Sequence, residues 1–330
     1  MAIAANTSLT YSSVQIREQL SDIIYNIAPL DTPFFSGCSR EKAENTLYQW
    51  QTDTIGAGSA NRVIEGDDSP ASVARALPTL LNNLTQISTY VVQTSGTDDA
   101  VNYAGHGKHQ AYRLAKRGKQ MKRDLESMLS QNIAKVTGKV TGNATTARIS
   151  AGLPTWLATN YVSMNPSSGS PSAAAGTGAN TMTEASATAS ITEAGIKNVI
   201  LDAYTAGGTP DMILCPSAIK QAISGLSSNA GPGYPIRNEA KGKGPVTAIN
   251  AVDVYVSDFG TYKIVPDRNL NSTEHVFFLD MDFWGLQVLR DFQTVDLAKT
   301  GDSTKQMLLF EAGLVSKNEK SSGILADCKA

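Results

Sequence analysis

Hydrophobic side chains recur every three or four positions over one long stretch of the chain, and alternate with polar ones over much of the remainder. The long stretch lies between Tyr103 and Gly138, with no proline from Gln110 to Lys135. At ~100° per residue, Leu114, Met121, Leu125, Met128 and Leu129 fall on one stripe, which predicts an amphipathic helix with its core on those residues. Lys108, Arg113, Lys116, Lys119, Lys122 and Arg123 lie off the stripe. Roughly thirty helical residues at ~1.5 Å each would reach about 45 Å, longer than a small domain is wide. Such a helix is expected to be the spine on which sheets are laid.

Ahead of it the period changes to two. Tyr48, Trp50 and Thr52 alternate with Gln49, Gln51 and Asp53, and a return run spans Leu84 to Val92, around a polar tip that holds Glu65-Gly66-Asp67-Asp68. This pattern predicts a long two-stranded ribbon. An isolated hairpin is marginal in water, so the ribbon needs a partner surface, and the simplest partner is another copy of the chain. Residues 1–45 read as an arm, with a short helix from Ser13 to Tyr25, an extended or turned path at Asp31-Thr32-Pro33-Phe34, and Phe34 and Phe35 as anchors on another surface. Ser95-Gly96-Thr97-Asp98-Asp99 reads as a turn leading into the helix.

Beyond the helix the pattern is lost. No charged residue occurs from Ile149 to Thr183, and Pro166 to Ala189 is mostly Ser, Ala, Gly and Thr. This segment is expected to be a surface loop or insertion of low order. Order returns with a helix over Thr192–Ala206, a strand over Asp211–Cys215, a helix from Pro216 to about Gly225, a loop over Ser228–Pro245 and a strand over Val246–Val256. Further strands are expected at Tyr262–Pro266, His275–Asp280, Trp284–Leu289, Gln293–Leu297 and Gln306–Leu314. Helices and strands mixed in this way predict an α+β fold.

Composition narrows the functional classes. The 330 residues are 41% hydrophobic, enough for one large or two modest cores, and the net charge of −2 does not mark a bulk nucleic-acid binder. No run of about 20 apolar residues suggests a membrane span. The first residues carry no basic segment ahead of an apolar core, so no signal peptide is expected. Three scattered cysteines, Cys38, Cys215 and Cys328, fit a reducing compartment better than a disulfide framework.

No catalytic, cofactor-binding or metal-ligating set emerges. His106 and His109 stand three apart, but no acidic ligand flanks the pair in sequence, and solvated or capping roles fit them better. Gly242-Lys243-Gly244 and Gly138-Lys139-Val140 lack the Ser or Thr of a phosphate loop. Asn83-Leu84-Thr85 and Asn271-Ser272-Thr273 match glycosylation triplets by chance. Glu65, Asp67, Asp68 and the Asp98-Asp99 pair are read as solvated loop acids or helix caps, or as an acidic surface that pairs with the basic helix face of another copy, or as a metal site. The basic face could instead meet nucleic-acid backbone, without sequence preference and sensitive to salt.

The order of parts resembles the major capsid proteins of tailed bacteriophages, with the Hong Kong 97-type fold. The residues that carry the resemblance are Asp31-Thr32-Pro33-Phe34, Trp50 to Asp53, Asn83-Leu84-Thr85-Gln86-Ile87 before Ser95-Gly96-Thr97, Leu289-Arg290, Leu297-Ala298-Lys299-Thr300-Gly301-Asp302-Ser303 and Glu311-Ala312-Gly313-Leu314. Residues 149–190 match least. The resemblance implies an N-terminal arm (1–45), an E-loop laid across a neighbour (46–96), a spine helix in the peripheral domain (97–148), an insertion or loop (149–190), an axial domain (191–257) and returning peripheral strands with the C-terminus (258–330).

It further implies hexamers and pentamers in an icosahedral shell around packaged double-stranded DNA, assembled in the bacterial cytoplasm. Portal, scaffolding and decoration proteins would be further partners, and DNA contact would be nonspecific. No enzymatic activity, cofactor or membrane association is expected. Residues expected between subunits are Trp50, Glu65, Asp67, Asp68, Arg113, Lys116, Arg117, Lys119 and Arg237. The alternative class is a surface-array or display protein exposing the Ser/Thr/Ala/Gly segment.

Overall fold

The computed structural model describes residues 31–53, 55, 58, 62, 64–66, 77–103, 105–138, 146–226, 253–270, 274–299 and 301–330. In chain order these form α1 (Pro33–Gly37), β1 (Ser39–Lys42), β2 (Leu47–Thr52), β3 (Thr79–Leu84), β4 (Gln86–Ser95), α2 (Gly96–Ala100) and α3 (His109–Ser130). Next come β5 (Tyr161–Ser163), β6 (Ala189–Ser190), α4 (Glu193–Thr205), β7 (Met212–Pro216), α5 (Ser217–Leu226), β8 (Val254–Ser257) and β9 (Gly260–Asp267). The last five are β10 (Val276–Leu279), β11 (Trp284–Leu297), β12 (Ser303–Ser316), β13 (Gly323–Ala326) and β14 (Cys328–Lys329). The expected helix over Ser13–Tyr25, the loop over Ser228–Pro245 and Arg237 lie outside the described residues.

A four-stranded sheet of order β1-β11-β12-β4 packs one face on α3, and a six-stranded sheet of order β5-β13-β10-β7-β9-β8 packs with α4 and α5. The expected cut at 257/258 is not a sheet boundary. β8 pairs antiparallel with β9 across it, and β10 and β13, from the C-terminal third, sit inside the six-stranded sheet. Only β11 and β12 of that third run in the four-stranded sheet, as one long antiparallel pair bent by register shifts near Arg290. The chain therefore returns to both layers.

The helix stripe behaves as its spacing demands. Met121, Leu125 and Leu129 are buried, and Leu114 and Met128 pack against the same core. The helix is shorter than expected, at 22 residues or about 33 Å. It stops because Gln131 turns to extended backbone (φ −72°, ψ 139°). From there Ile133 O accepts the Gly152 amide (3.0 Å), Lys135 N donates to Gly178 O (2.8 Å), and Val136 bridges Ile149. A side chain at Gly152 would run into the Gln131 carbonyl, so only glycine lets these strands of chain touch.

Residues 149–190 divide in two: 150–157 are core rather than loop, while most of 166–190 lies at the surface, pinned at a few buried points. Leu153, Trp156 and Leu157 are fully buried in the main core, and Ala174 and Met182 join them. Backbone groups of the segment are tied down by acids from the C-terminus. Asp327 Oδ1 accepts the Ala185 amide (2.8 Å), and Glu319 Oε2 accepts those of Ala158 (3.1 Å) and Thr159 (2.9 Å). A stretch whose own acid is Glu184 is ordered in part by charges 140 or more residues away in sequence, which no local pattern reveals.

The ribbon also differs from expectation. β2 pairs with β3, not with the Leu84–Val92 run, which instead forms β4 of the main sheet. The switch occurs at Asn83-Leu84-Thr85-Gln86, where every polar side chain is used. Asn83 is fully buried; it donates to Leu314 O (2.7 Å) and Ser150 Oγ (3.1 Å) and accepts the Ala151 and Leu84 amides (3.1 and 2.9 Å). Gln86 Oε1 accepts from Ser150 N (3.2 Å). Thr85 Oγ1 donates to Glu311 (2.8 Å), whose carboxylate also binds Arg148 (2.6 Å) and Arg290 (2.7 Å). On the neighbouring strand, a Cβ at Gly313 would strike the Tyr48 hydroxyl and Leu84 carbonyl.

The amino-terminal segment is equally fixed. Pro33 opens α1, its pre-set φ suiting a first helical position, where an extended or turned path was expected. Phe34 and Phe35 anchor in their own chain, edge-on to Trp284 and Phe310 (both 6.0 Å), rather than on another surface. Their backbone amides donate to both oxygens of buried Glu126 on α3 (2.8 and 2.7 Å).

Two stability outcomes follow from this packing. Leu125→Asp buries an unpaired carboxylate in the stripe and is expected to abolish folded protein, read by circular dichroism; a folded variant would remove the stripe from the core. Glu311→Ala leaves two facing guanidiniums without their acceptor and is expected to cost about 3 kcal/mol in denaturant titration. Loss of under about 0.5 kcal/mol would mean that solvent already screens the cluster.

Candidate inter-subunit surfaces

Among the described residues, three surfaces stand out as uncovered. The first is the ribbon. Its inward face is closed at the root: Tyr48 donates to Leu314 O (2.8 Å), Trp50 Nε1 donates to Ser316 O (2.7 Å), and the Trp50 ring lies 5.3 Å from that of Trp156. Trp50, expected to face a neighbouring subunit, is thus occupied within its own chain, because the period of two turns it to the same face as Asn83 and Leu81. Lys135 fastens the same root by donating to Asn82 O and Oδ1 (2.9 and 2.7 Å) and to Thr177 O (3.0 Å). The outward face is open. Leu47, Leu77, Leu80, Ile55 and Ile64 are all exposed, Ile55 fully. Glu65 is exposed at a turn, while Asp67 and Asp68 lie outside the described residues.

The second surface is the face of the four-stranded sheet turned away from α3. Gln110 and Asp124 of α3 bond Thr94 and Tyr90, so those side chains define the covered face. Ile87, Thr89 and Val91 point the other way. In register, Val91 stands opposite Met307, which stands opposite Val295. Ile87, Val91 and Val295 are 46%, 55% and 38% exposed, an apolar row with nothing of the described chain over it.

The third surface is the outer side of α3. Its cations divide into two groups. Arg113, expected at a subunit contact, donates to Gln93 O (2.6 Å) and Thr94 Oγ1 (3.4 Å), and Arg123 donates to Asn269 (3.1 Å). Arg117 stands over the Tyr90 ring at 5.3 Å while remaining exposed. Lys116, Lys119 and Lys122 are exposed on the same helix. Guanidiniums can lie flat on neighbours and donate in a fork, whereas the lysines extend into solvent. A smaller apolar group sits at the far end of the six-stranded sheet, where Tyr204 of α4 packs on Phe259 (4.7 Å) beside exposed Val254 and Val256 on the outermost strand, β8.

Among the described residues no three His, Cys, Asp or Glu side chains converge as metal ligands, and no helix is long and apolar enough to cross a membrane. His106 Nε2 and His109 Nδ1 are 2.9 Å apart, and both rings stack on Tyr103, whose hydroxyl bonds Asp98. The pair helps to fold the turn ahead of α3. The three thiols are buried and unpaired; burial pushes Cys38 up strongly and Cys215 and Cys328 up to about 12, opposite to an activated nucleophile. Asn83, the first residue of one glycosylation triplet, has no exposed surface, and Asn271 lies outside the described residues.

The buried roles of Glu126, Asp267, Glu311 and Asp327 escaped the sequence reading, in which Glu311 figured only as part of the family resemblance. Glu126 gave one signal: it interrupts the helix stripe between Leu125 and Leu129.

Known proteins resemble the chain over nearly its whole length. The major capsid protein of Escherichia phage Phieco32 is 30% identical, with 97% of each chain covered. In fold, the chain is similar to the capsid subunit of cyanophage A-1(L) (TM-score 0.65, 12% identity, 96% and 98% covered). It also resembles a chain of the SrpI encapsulin complex of Synechococcus elongatus PCC 7942 (TM-score 0.54, 9% identity, 93% of each covered). At such identities the structural likenesses establish the Hong Kong 97-like fold alone. The SU10 major capsid protein model matches residues 3–329, and the chain belongs to that family.

Proposed function

We propose that this capsid protein closes into hexamers and pentamers by laying the outward face of its ribbon on the open face of a neighbour's four-stranded sheet. One observation carries this reading: both surfaces are apolar, exposed and unmatched among the described residues. Leu47, Leu77 and Leu80 on the ribbon supply the anchors, and Ile87, Val91 and Val295 supply the bed. Covering a Val or Ile side chain contributes about 1.5–3 kcal/mol. Each subunit gives its ribbon to one neighbour and receives one from another, a heterologous contact that closes into a ring when the rotation permits. Glu65, with Asp67 and Asp68, then falls on the neighbour's polar rim, where opposite charge sets register more than affinity.

Lys116, Lys119 and Lys122 fit a wall that faces packaged double-stranded DNA. Three exposed lysines at helical spacing would neutralise phosphates without reading bases, so the contact is nonspecific and weakens with salt. Portal, scaffolding and decoration proteins, assembly in the host cytoplasm and a purely structural, non-enzymatic role accord with the family. The family does not favour an array or display role, and the Ser/Thr/Ala/Gly segment that suggested it, largely exposed, is pinned to the body by buried Ala174 and Met182.

Two assembly outcomes test the reading by negative-stain counting of particles against soluble chain. Ile87→Lys with Val91→Lys is expected to lower particle yield at least tenfold while circular dichroism stays unchanged. Normal yield would show that the sheet face is not an assembly contact. Glu65→Lys, Asp67→Lys and Asp68→Lys together are expected to impair assembly more than folding, and unchanged yield would displace the ribbon tip from the interface.

A further inference from the structure

Two carboxyl groups meet under α1. Glu126 has no exposed surface and Asp267, at the end of β9, is 2% exposed. Both Glu126 oxygens accept backbone amides, from Phe34 and Phe35. Asp267 Oδ1 accepts the Asn269 amide (2.8 Å), but its Oδ2 is buried and meets no donor from any other group. The Glu126 carboxyl lies beside the Asp267 carboxyl and interacts with it. Two carboxylates cannot bond each other, and an acceptor buried without a donor costs about 1–3 kcal/mol. A proton held between the two acids removes both penalties.

We propose that Glu126 and Asp267 share one proton and act as a latch, so that its loss to solvent base frees residues 31–38 from α3. The charges around the site support a shared proton. From α3, Arg123 is directed at Asn269 Oδ1 rather than at either acid. From the amino-terminal segment, Asp31 adds negative charge near Asp267, Cys38 is buried beside Glu126, and Arg40 stands over Phe35 at 4.8 Å. After β9, Arg268 contributes a backbone amide to Asp267. Asn269 Nδ2 also holds Asp31 O (2.7 Å), so the acids and the segment they hold are mechanically one unit.

Burial is the largest influence on both acids and raises both. It lifts Glu126 from an ordinary 4.5 to about 8, against the opposing pull of the two amides. The sign follows directly. Between about 4.5 and 8 the latched state holds a proton that the released state lacks, so each pH unit upward weakens latching about tenfold. Above about 8 the effect levels off. Asp267→Asn replaces the shared proton with a permanent N–H donor, so Glu126 can stay ionised and the pH dependence should vanish.

Hydrogen exchange on the full-length protein, read on peptides that cover Phe34 and Phe35, tests the latch. Dividing wild-type rates by those of Asp267→Asn at each pH cancels the intrinsic exchange chemistry. The ratio is expected to rise about tenfold per pH unit from pH 6 to 8 and then to plateau. Glu126→Ala should exchange fast at every pH. Equal pH slopes in wild type and Asp267→Asn would overturn the proposal. So would wild-type protection that stays constant from pH 6 to 9 after correction for intrinsic rates, whatever the variants do.

Discussion

The Glu311 carboxylate is the constraint on which the rest of the architecture turns. It sits on β12 with almost no exposed surface, and it binds Arg290 on β11, Arg148 after α3 and Thr85 between β3 and β4. Three separate parts of the chain are thereby fixed to one strand. An ion buried so deeply is costly unless its hydrogen bonds are filled, and here two guanidiniums and a hydroxyl fill them. The gain over an apolar cluster lies in geometry: oil can slide, whereas a forked bond to a carboxylate defines direction. Asn83 does the same two residues earlier with four bonds of its own.

That arrangement divides the molecule into a closed root and open surfaces. Where the ribbon leaves the body, Tyr48, Trp50, Asn83 and Lys135 all bond inward. Farther out the side chains that could cover one another do not, and leucines and isoleucines stay in solvent. Scattered exposed apolar residues are ordinary on any protein, but exposed Val91 and Val295 flanking half-buried Met307 in register across three strands form a continuous apolar strip. The polar bonds tie the stem to the body, and the apolar surfaces are the ones the proposed contact would cover.

Periodicity made legible whatever depends on near neighbours in sequence. The helix stripe at Met121, Leu125 and Leu129 is core because spacing alone puts those residues on one side. Alternation placed Tyr48 and Trp50 on one face of a strand, and α4, β7 and α5 lie within a residue or two of their expected bounds. The misses share one cause. Residues 149–190 looked unstructured because the groups that order them, Glu319 and Asp327, are far away in sequence. The ribbon's return strand was misplaced because Leu84 to Val92 alternates well, and nothing local says whether such a strand pairs with β2 or with β12. Glu126 was invisible because a charged residue beside a helix stripe ordinarily faces water. The family resemblance, carried by order and spacing rather than by any one contact, reached the fold without resolving these pairings.

The polar root also explains why a fold of this kind tolerates so little freedom at one point while twelve-percent-identical chains keep its outline. Six residues of β2 at ~3.3 Å each span about 20 Å, and a 10° error in the direction of the ribbon would displace a point that far along it by about 3.5 Å. That is the width of an atom, enough to shift a leucine off the surface it must cover. An apolar hinge held by contact area alone has many nearly equal orientations. Asn83 and Glu311 have one, since any other leaves a buried donor, acceptor or charge unpaired. In the proposed ring of subunits, angular error would accumulate from copy to copy, so the buried bonds at the root would bear on closure as well as on the stability of the single chain.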